Sequence, residues 1–328
     1  METQEGSCLP IEVGAILVRG SQLILRSVVH LLFVLLACTL CASTATKAEP
    51  IVSVSWSPAQ IASGSPMLFR VQTAKAPGSV EATWQTHPLM FFPSNDHHVW
   101  YGLAGVDVES KPGTYKLEVV VTLPNGDVQR VTKDVIVERA KYKTEVLRVP
   151  QKYVKPDPET MVRIEADKAL KKAAFAQEIP TAEWSGRFEV PVNTKPSEGF
   201  GTRRTFNGQL ASIHRGMDYH APMGTPVLAA NAGQVILARE LFYEGNCVII
   251  NHGQQFMTMY MHLSSLQVKE GEKVEKGQQI GLSGATGRVT GPHLHVAVRW
   301  QDAYLDPAQL WVLPLPKLEV KQAVVGAK

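Results

Sequence analysis

The chain has 328 residues, 45% hydrophobic and 19% charged, enough apolar material for buried cores in about two domains of roughly 150 residues each. Its 33 basic and 30 acidic residues leave a dispersed formal net charge of +3, which argues against a nucleic-acid-binding protein built on a basic patch. At the N-terminus Arg19 and Arg26 precede the apolar run from Val28 to Ala37. Small residues follow, up to Thr46-Lys47-Ala48, which resembles a signal-cleavage site before Glu49. The run is shorter than the ~20 residues of a spanning helix. Residues 1–48 are therefore expected to be a targeting segment that exports the rest to the periplasm, the cell envelope or the exterior. Cleavage near Ala48, lipid attachment at Cys38 and retention as a signal anchor are three possible outcomes. Only the last two would leave the protein on a membrane. Of four cysteines, Cys8, Cys38 and Cys41 fall in this segment. Cys247 is left alone in the apolar run Asn246 to Ile250, so an internal disulfide is excluded and a buried thiol expected.

Residues 49–140 alternate short β-rich runs with turn signals. Val52–Trp56, Met67–Gln72, Ala82–Trp84, Val99–Tyr101, Tyr115–Leu123 and Val128–Val137 are separated by Pro77-Gly78, Pro112-Gly113 and Pro124-Asn125-Gly126-Asp127. This spacing resembles an immunoglobulin-like β-sandwich. Trp56, Trp84 and Trp100 are expected in its core, and His87, His97 and His98 on its surface. Residues 141–185 read as a linker with one helix over 157–177. Asp157 is its N-cap and Pro158 its first residue, Val162, Ala166, Ala169, Leu170 and Ala173 recur at helical spacing, and Pro180 follows. Such a helix either packs as an ordinary linker or occludes a neighbouring groove.

Residues 186–312 hold the chemistry, and 313–328 form a tail. His214 and Asp218 stand in H-R-G-M-D, His262 in Y-M-H-L, and His293 and His295 in G-P-H-L-H. Gly216 and Pro222 disfavour a helix, so the first motif reads as an extended segment whose i and i+4 side chains point to one face. His214 and Asp218 would then converge on one ion. The i, i+2 pair His293 and His295 does the same on a second strand. Two histidines and a carboxylate can hold zinc with one position open, and two further histidines remain to move protons, a combination suited to hydrolysis. Tyr260, two residues before His262, is expected on the same strand face as a phenol donor. His220 is expected at the surface and His252 in a turn. The glycine-rich stretch 281–291 lacks G-K-[ST] and does not lead into a helix, which excludes a phosphate loop.

From about Phe188 to Pro307 these motifs resemble the lysostaphin or LytM-type zinc metallopeptidases. H-x-x-x-D, Y-x-H-L and H-x-H after Gly-Pro occur in that family's order, together with Phe200-Gly201-Thr202-Arg203-Arg204 and Ala221-Pro222-Met223-Gly224-Thr225-Pro226-Val227. The resemblance implies a mainly β fold with a β-sandwich-type catalytic domain. It implies one Zn2+ held by His214, Asp218 and His295, and a catalytic pair, His262 and His293. One of the pair would orient or deprotonate the water and the other would stabilise the oxyanion. The substrate it implies is a peptide stem or cross-bridge of bacterial peptidoglycan. Some members of such families keep the groove without the activity, so the alternative is a non-catalytic regulator that binds or activates another wall hydrolase. Specificity loops are expected around 241–245 and 284–291.

Overall fold

The structure, a computed structural model, describes residues 51–147, 157–206 and 209–317. The segment expected to direct export, with Cys38, and the end of the tail lie outside the described residues. The fold is mainly β, and among the described residues no helix is long and apolar enough to cross a membrane.

The N-terminal part contains β1 (Ile51–Ser57), β2 (Ile61–Ala62), β3 (Pro66–Thr73), β4 (Ser79–Trp84), β5 (His87–Met90), β6 (Phe92–Pro93), β7 (Val99–Gly105), β8 (Gly113–Thr122) and β9 (Val128–Glu138). They form two sheets, β1-β3-β7-β6 and β2-β9-β8-β4-β5. Strand alternation explains the layering. Leu117, Val119 and Val121 of β8 are buried while Lys116 and Glu118 face solvent. The sheets meet where Phe69 packs edge-on to Trp84 at 5.3 Å, and the Trp84 indole donates to Gly105 O at 2.8 Å. Trp84 and Trp100 are buried, and Trp56 rests half-buried on Phe69. His97 and His98 are exposed.

The C-terminal part is built on β10 (Thr144–Leu147), α1 (Pro158–Phe175), β11 (Pro196–Glu198), β12 (Arg203–Phe206), β13 (Gln209–Ile213), β14 (Met217–Tyr219), β15 (Pro226–Leu228), β16 (Gly233–Leu241), β17 (Gly245–Asn251), β18 (Phe256–Leu266), β19 (Lys273–Val274), β20 (Gln279–Ser283), β21 (Leu294–Trp300), β22 (Ala303–Leu305) and α2 (Pro307–Val312). The main sheet runs β11-β14-β21-β18-β17-β16-β19, with β22 on β21, β20 on β18 and β15 on β20. Its central strand β18 is buried without interruption from Phe256 to Leu263, because both faces are covered. One face packs Phe256, Tyr260, Val248 and Val296 into the large core with Trp184 and Phe188. The other carries Met257, Met259, Met261, Cys247, Ile249 and Ala297, covered in part by Ala174 and Phe175 of α1. Cys247 is free and fully buried, which raises its thiol pKa. The two parts share their core through Phe92 and Trp184, whose rings meet at 5.1 Å.

The segment expected to be a simple linker contributes a strand, since β10 pairs in parallel with β12. Its helix buries a different stripe from the expected one. Ile164 and Ala174 are buried, with Asp167 and Lys171 half-buried between them, while Val162 is 72% exposed. Partners decide this: Asp167 accepts from Phe242 N at 2.6 Å and Lys171 pairs with Glu244, so two polar residues hold the helix face that apolarity alone would not select. Asp157 caps the helix as expected, accepting from Thr160 N at 2.8 Å.

Candidate metal centre and active site

His214 and Asp218 converge for a different reason than strand alternation. β13 ends at Ile213 and β14 begins at Met217, and the two belong to different sheets. His214 stays paired to Thr202, its N donating to Thr202 O at 2.9 Å, and the chain then crosses to the main sheet, where Asp218 pairs with His295. Register across β14 and β21 therefore places the carboxylate beside the second imidazole.

His214, Asp218 and His295 offer donor atoms that all lie within 4.8 Å of one another. His214 Nε2 is 3.1 Å from Asp218 Oδ1 and 3.1 Å from His295 Nδ1, and His295 Nδ1 is 2.7 Å from Asp218 Oδ1. His214 and Asp218 are buried and His295 is half-buried. The His214 Nδ1–H donates to Gly199 O at 2.9 Å, so in the neutral ring Nε2 presents a lone pair to a carboxylate and to a second imidazole nitrogen. Acceptors facing one another at such distances require a shared cation or proton. Burial opposes the Asp218 charge, but hydrogen bonds and charge from His214 and His295 overcome it and hold the carboxyl well below its ordinary pKa. Burial also disfavours protonated His214, and the Asp218 hydrogen bond and charge more than offset it, leaving a raised pKa. In His295 burial prevails over Asp218, and its pKa is lowered. Gly216 admits the arrangement: a Cβ there would stand 2.4 Å from His295 Nε2.

His262 and His293 face this cluster. Their rings lie 4.8 Å apart, and His262 is 6.0 Å from the His295 ring. His293 Nε2 is 4.0 Å from Asp218 Oδ1. His262 Nδ1 donates to Thr286 O at 3.0 Å and His293 Nδ1 to Gly291 O at 2.9 Å, so the neutral tautomer of each carries its lone pair on Nε2. Burial, then the charges of His295 and His293, push His262 down to about 3. His293 is anchored by a bridge to Gly284 just ahead of β21.

Tyr260 does not join them. His262 has a φ of 62° and sits in a β-bulge, where Asn246 pairs with Leu263 and Val248 with Tyr260. The extra residue breaks the two-residue alternation, so the tyrosine turns into the core. Its hydroxyl accepts from Ala230 N at 2.8 Å and lies 2.9 Å from Thr258 Oγ1. His252 lies at the expected turn between β17 and β18, its N donating to Phe256 O at 2.8 Å, and its ring joins that network: fully buried, it donates from Nδ1 to Ala232 O at 2.7 Å, with Nε2 2.8 Å from Thr258 Oγ1. His220 is exposed and lies outside the group of His214, Asp218 and His295 that could hold a metal ion. His87, expected at the surface, is only half-exposed, packed against Trp300 and 2.8 Å from Asp302.

Two residues near the cluster had no role in the sequence reading. Arg204 forms a two-pronged pair with Glu198, its Nη2 at 2.5 Å from Oε2, and stands 3.8 Å from Asp218 Oδ2. Glu198 Oε1 is 3.6 Å from His214 Nδ1. The sequence signalled Arg204 alone, as the last residue of the phrase Phe200-Gly201-Thr202-Arg203-Arg204, and gave no signal for Glu198.

The family model of peptidase family M23 matches residues 212–307, which span all five residues. A solved structure from Pseudomonas aeruginosa assigned to peptidase M23 superposes with a TM-score of 0.60 at 30% identity, covering 77% of this chain and 95% of that one. The chain belongs to peptidase family M23. Among curated proteins, the M23 chain is 41% identical over 146 residues to the peptidoglycan DD-endopeptidase ShyA of Vibrio cholerae, covering 43% of this chain and 34% of ShyA. It is 39% identical over 130 residues to the DD-carboxypeptidase/endopeptidase Mpg of Neisseria meningitidis, covering 40% of this chain and 30% of Mpg. The matched stretches thus span about a third of these relatives.

Proposed function

We propose that this M23 chain is a zinc-dependent endopeptidase that acts in the cell envelope and hydrolyses peptide bonds in the stems or cross-bridges of bacterial peptidoglycan. The donor triangle carries the reading. Tetrahedral zinc with bonds of ~2.0–2.1 Å has donors about 3.3 Å apart, and the three atoms here stand 2.7–3.1 Å apart. His214 Nε2, Asp218 Oδ1 and His295 Nδ1 would hold the ion, leaving one tetrahedral position open. Zinc there would supply Lewis acidity and lower the pKa of a water from ~15.7 toward ~7.

The protein's own residues handle the protons. His262, kept neutral by burial with its Nδ1–H committed to Thr286 O, presents Nε2 as an acceptor. His293, nearer the rim and held by Gly291 O, would serve as donor to the oxyanion when protonated. Gly199 O fixes the tautomer of His214, as partners behind metal-bound histidines commonly do. The DD-endopeptidase activity for which ShyA and Mpg are named favours a D,D bond as the one cut.

The test is metal analysis together with digestion of purified peptidoglycan by wild type, Asp218→Ala and His262→Ala. Wild type should bind one zinc and release soluble fragments. Asp218→Ala should lose both properties, and His262→Ala should keep the metal and lose cleavage. Zinc-independent binding without release of fragments would favour a non-catalytic regulator.

A further inference from the structure

His262 carries an unfavourable backbone. Its φ of 62° lies in the left-handed region, which a residue with a Cβ keeps only where its surroundings dictate it. Two bonds dictate it here: the His262 backbone N–H donates to Glu244 O at 2.9 Å, and Nδ1 donates to Thr286 O at 3.0 Å. The segments that supply these two carbonyls are tied to each other. Asn246 N donates to Thr286 Oγ1 at 2.9 Å, Thr286 Oγ1 to Leu263 O at 2.8 Å, and Arg288 N to Tyr243 O at 3.0 Å. The aim of the His262 ring therefore depends on where the turn between β16 and β17 is held.

α1 holds that turn, and holds it in register. Arg163, Asp167 and Lys171 recur at intervals of four along one face of the helix. Their partners recur at intervals of two: Arg163 Nη2 is 3.1 Å from Glu240 Oε1, Asp167 Oδ2 accepts from Phe242 N at 2.6 Å, and Lys171 pairs with Glu244. Four helical residues rise about 6 Å and two extended residues about 6.7 Å, so three successive contacts match without slipping. The contacts also tighten toward the site. The Arg163 and Glu240 side chains are 51% and 64% exposed, those of Lys171 and Glu244 only 22% and 13%. The inner pair is thus the less screened by solvent, and it grips the residue whose carbonyl holds His262. Ala174 and Phe175 already fix the helix on the sheet, and that packing alone calls for no polar contact with the turn.

We propose that Lys171 and Asp167 are positioning residues of the active site: by holding the turn between β16 and β17 they fix the Glu244 carbonyl, and through it the placement of His262. The catalytic consequence rests on the reading of His262 as the proton acceptor, and one of the two readouts needs no turnover. That readout is amide hydrogen exchange of the full chain, resolved by NMR. In Lys171→Met the His262 amide should exchange about tenfold faster, while those of Phe256 to Met259 on the same strand stay within about twofold of wild type. On a D,D-cross-linked peptide, kcat should fall about tenfold with KM and zinc content within about twofold. Lys171→Arg keeps the charge and should restore both readouts to within about threefold of wild type. If Lys171→Met does not fold, Asp167→Ala should show the same pattern at about threefold. Unchanged exchange at His262, faster exchange along all of β18, a kcat equal to that of an active wild type, or a loss that Lys171→Arg fails to restore would overturn the proposal. If wild type cleaves nothing while Lys171→Met still frees the His262 amide alone, the positioning stands and the hydrolysis reading fails.

Discussion

Gly216→Ala is expected to weaken metal binding by one to two orders of magnitude while leaving the fold in place. The new Cβ would stand 2.4 Å from His295 Nε2, 2.6 Å from Cε1 and 2.5 Å from Val296 O. Carbon contacts are comfortable only near 3.5 Å, so something must retreat by about 1 Å. Val296 O is backbone in the ladder that pairs Met217 with Val296, which leaves the imidazole as the part able to move. Metal–ligand distances tolerate only about 0.2 Å, so a shift of this size takes His295 Nδ1 out of reach of a common ion. Disturbing the support of a single ligand costs 10- to 100-fold in affinity, or about 1.4–2.7 kcal/mol. Competition with a chromophoric chelator measures the affinity, and circular dichroism checks the fold. A folded variant that binds zinc within twofold of wild type would refute the steric account.

Three further outcomes follow from the same geometry. Burial pushes His252 down to about 4 against ~6.5 when unfolded, so the unfolded chain binds the extra proton between those values. The stability His252 contributes is therefore full above pH 6.5 and falls by up to about 3 kcal/mol as pH drops to 4. Urea midpoints across that range should show this slope in wild type and lack it in His252→Gln, and parallel curves would contradict it. Metal removal by chelation should lower the thermal midpoint by the equivalent of about 2.7 kcal/mol relative to zinc at a hundredfold excess over its dissociation constant, as calorimetry would read. Arg239→Gln removes the partner of Glu270 in a pair 44% and 36% exposed, and should change stability by less than about 1 kcal/mol.

Residue type and motif order made the five central side chains legible, because a carboxylate and four imidazoles in one domain have few uses apart from a metal. Local geometry was legible only where the strands are regular. Leu117, Val119 and Val121 alternate as their pattern predicts, whereas Tyr260 and His262 part company at a bulge that no residue type announces. His214 and Asp218 come together through a change of sheet, a long-range event outside the reach of a four-residue spacing. The buried stripe of α1 departs from the apolar spacing for a related reason: the partners of Asp167 and Lys171 lie 75 and 73 residues away in the chain. His252 reads as a turn residue from its neighbours, and only the Thr258 and Tyr260 hydroxyls behind it make it part of the core.

The central claim is that water is added across a peptide bond by residues grouped around His214, Asp218 and His295. Digestion of purified peptidoglycan in H2 18O, with mass spectrometry of the released peptides, tests it most directly. The account predicts one 18O atom in each newly formed carboxyl terminus, release that stops on chelation and returns with zinc, and none from His262→Ala. Absence of labelled termini from wild type, or release by the chelated enzyme or by His262→Ala that equals that of untreated wild type, would contradict it.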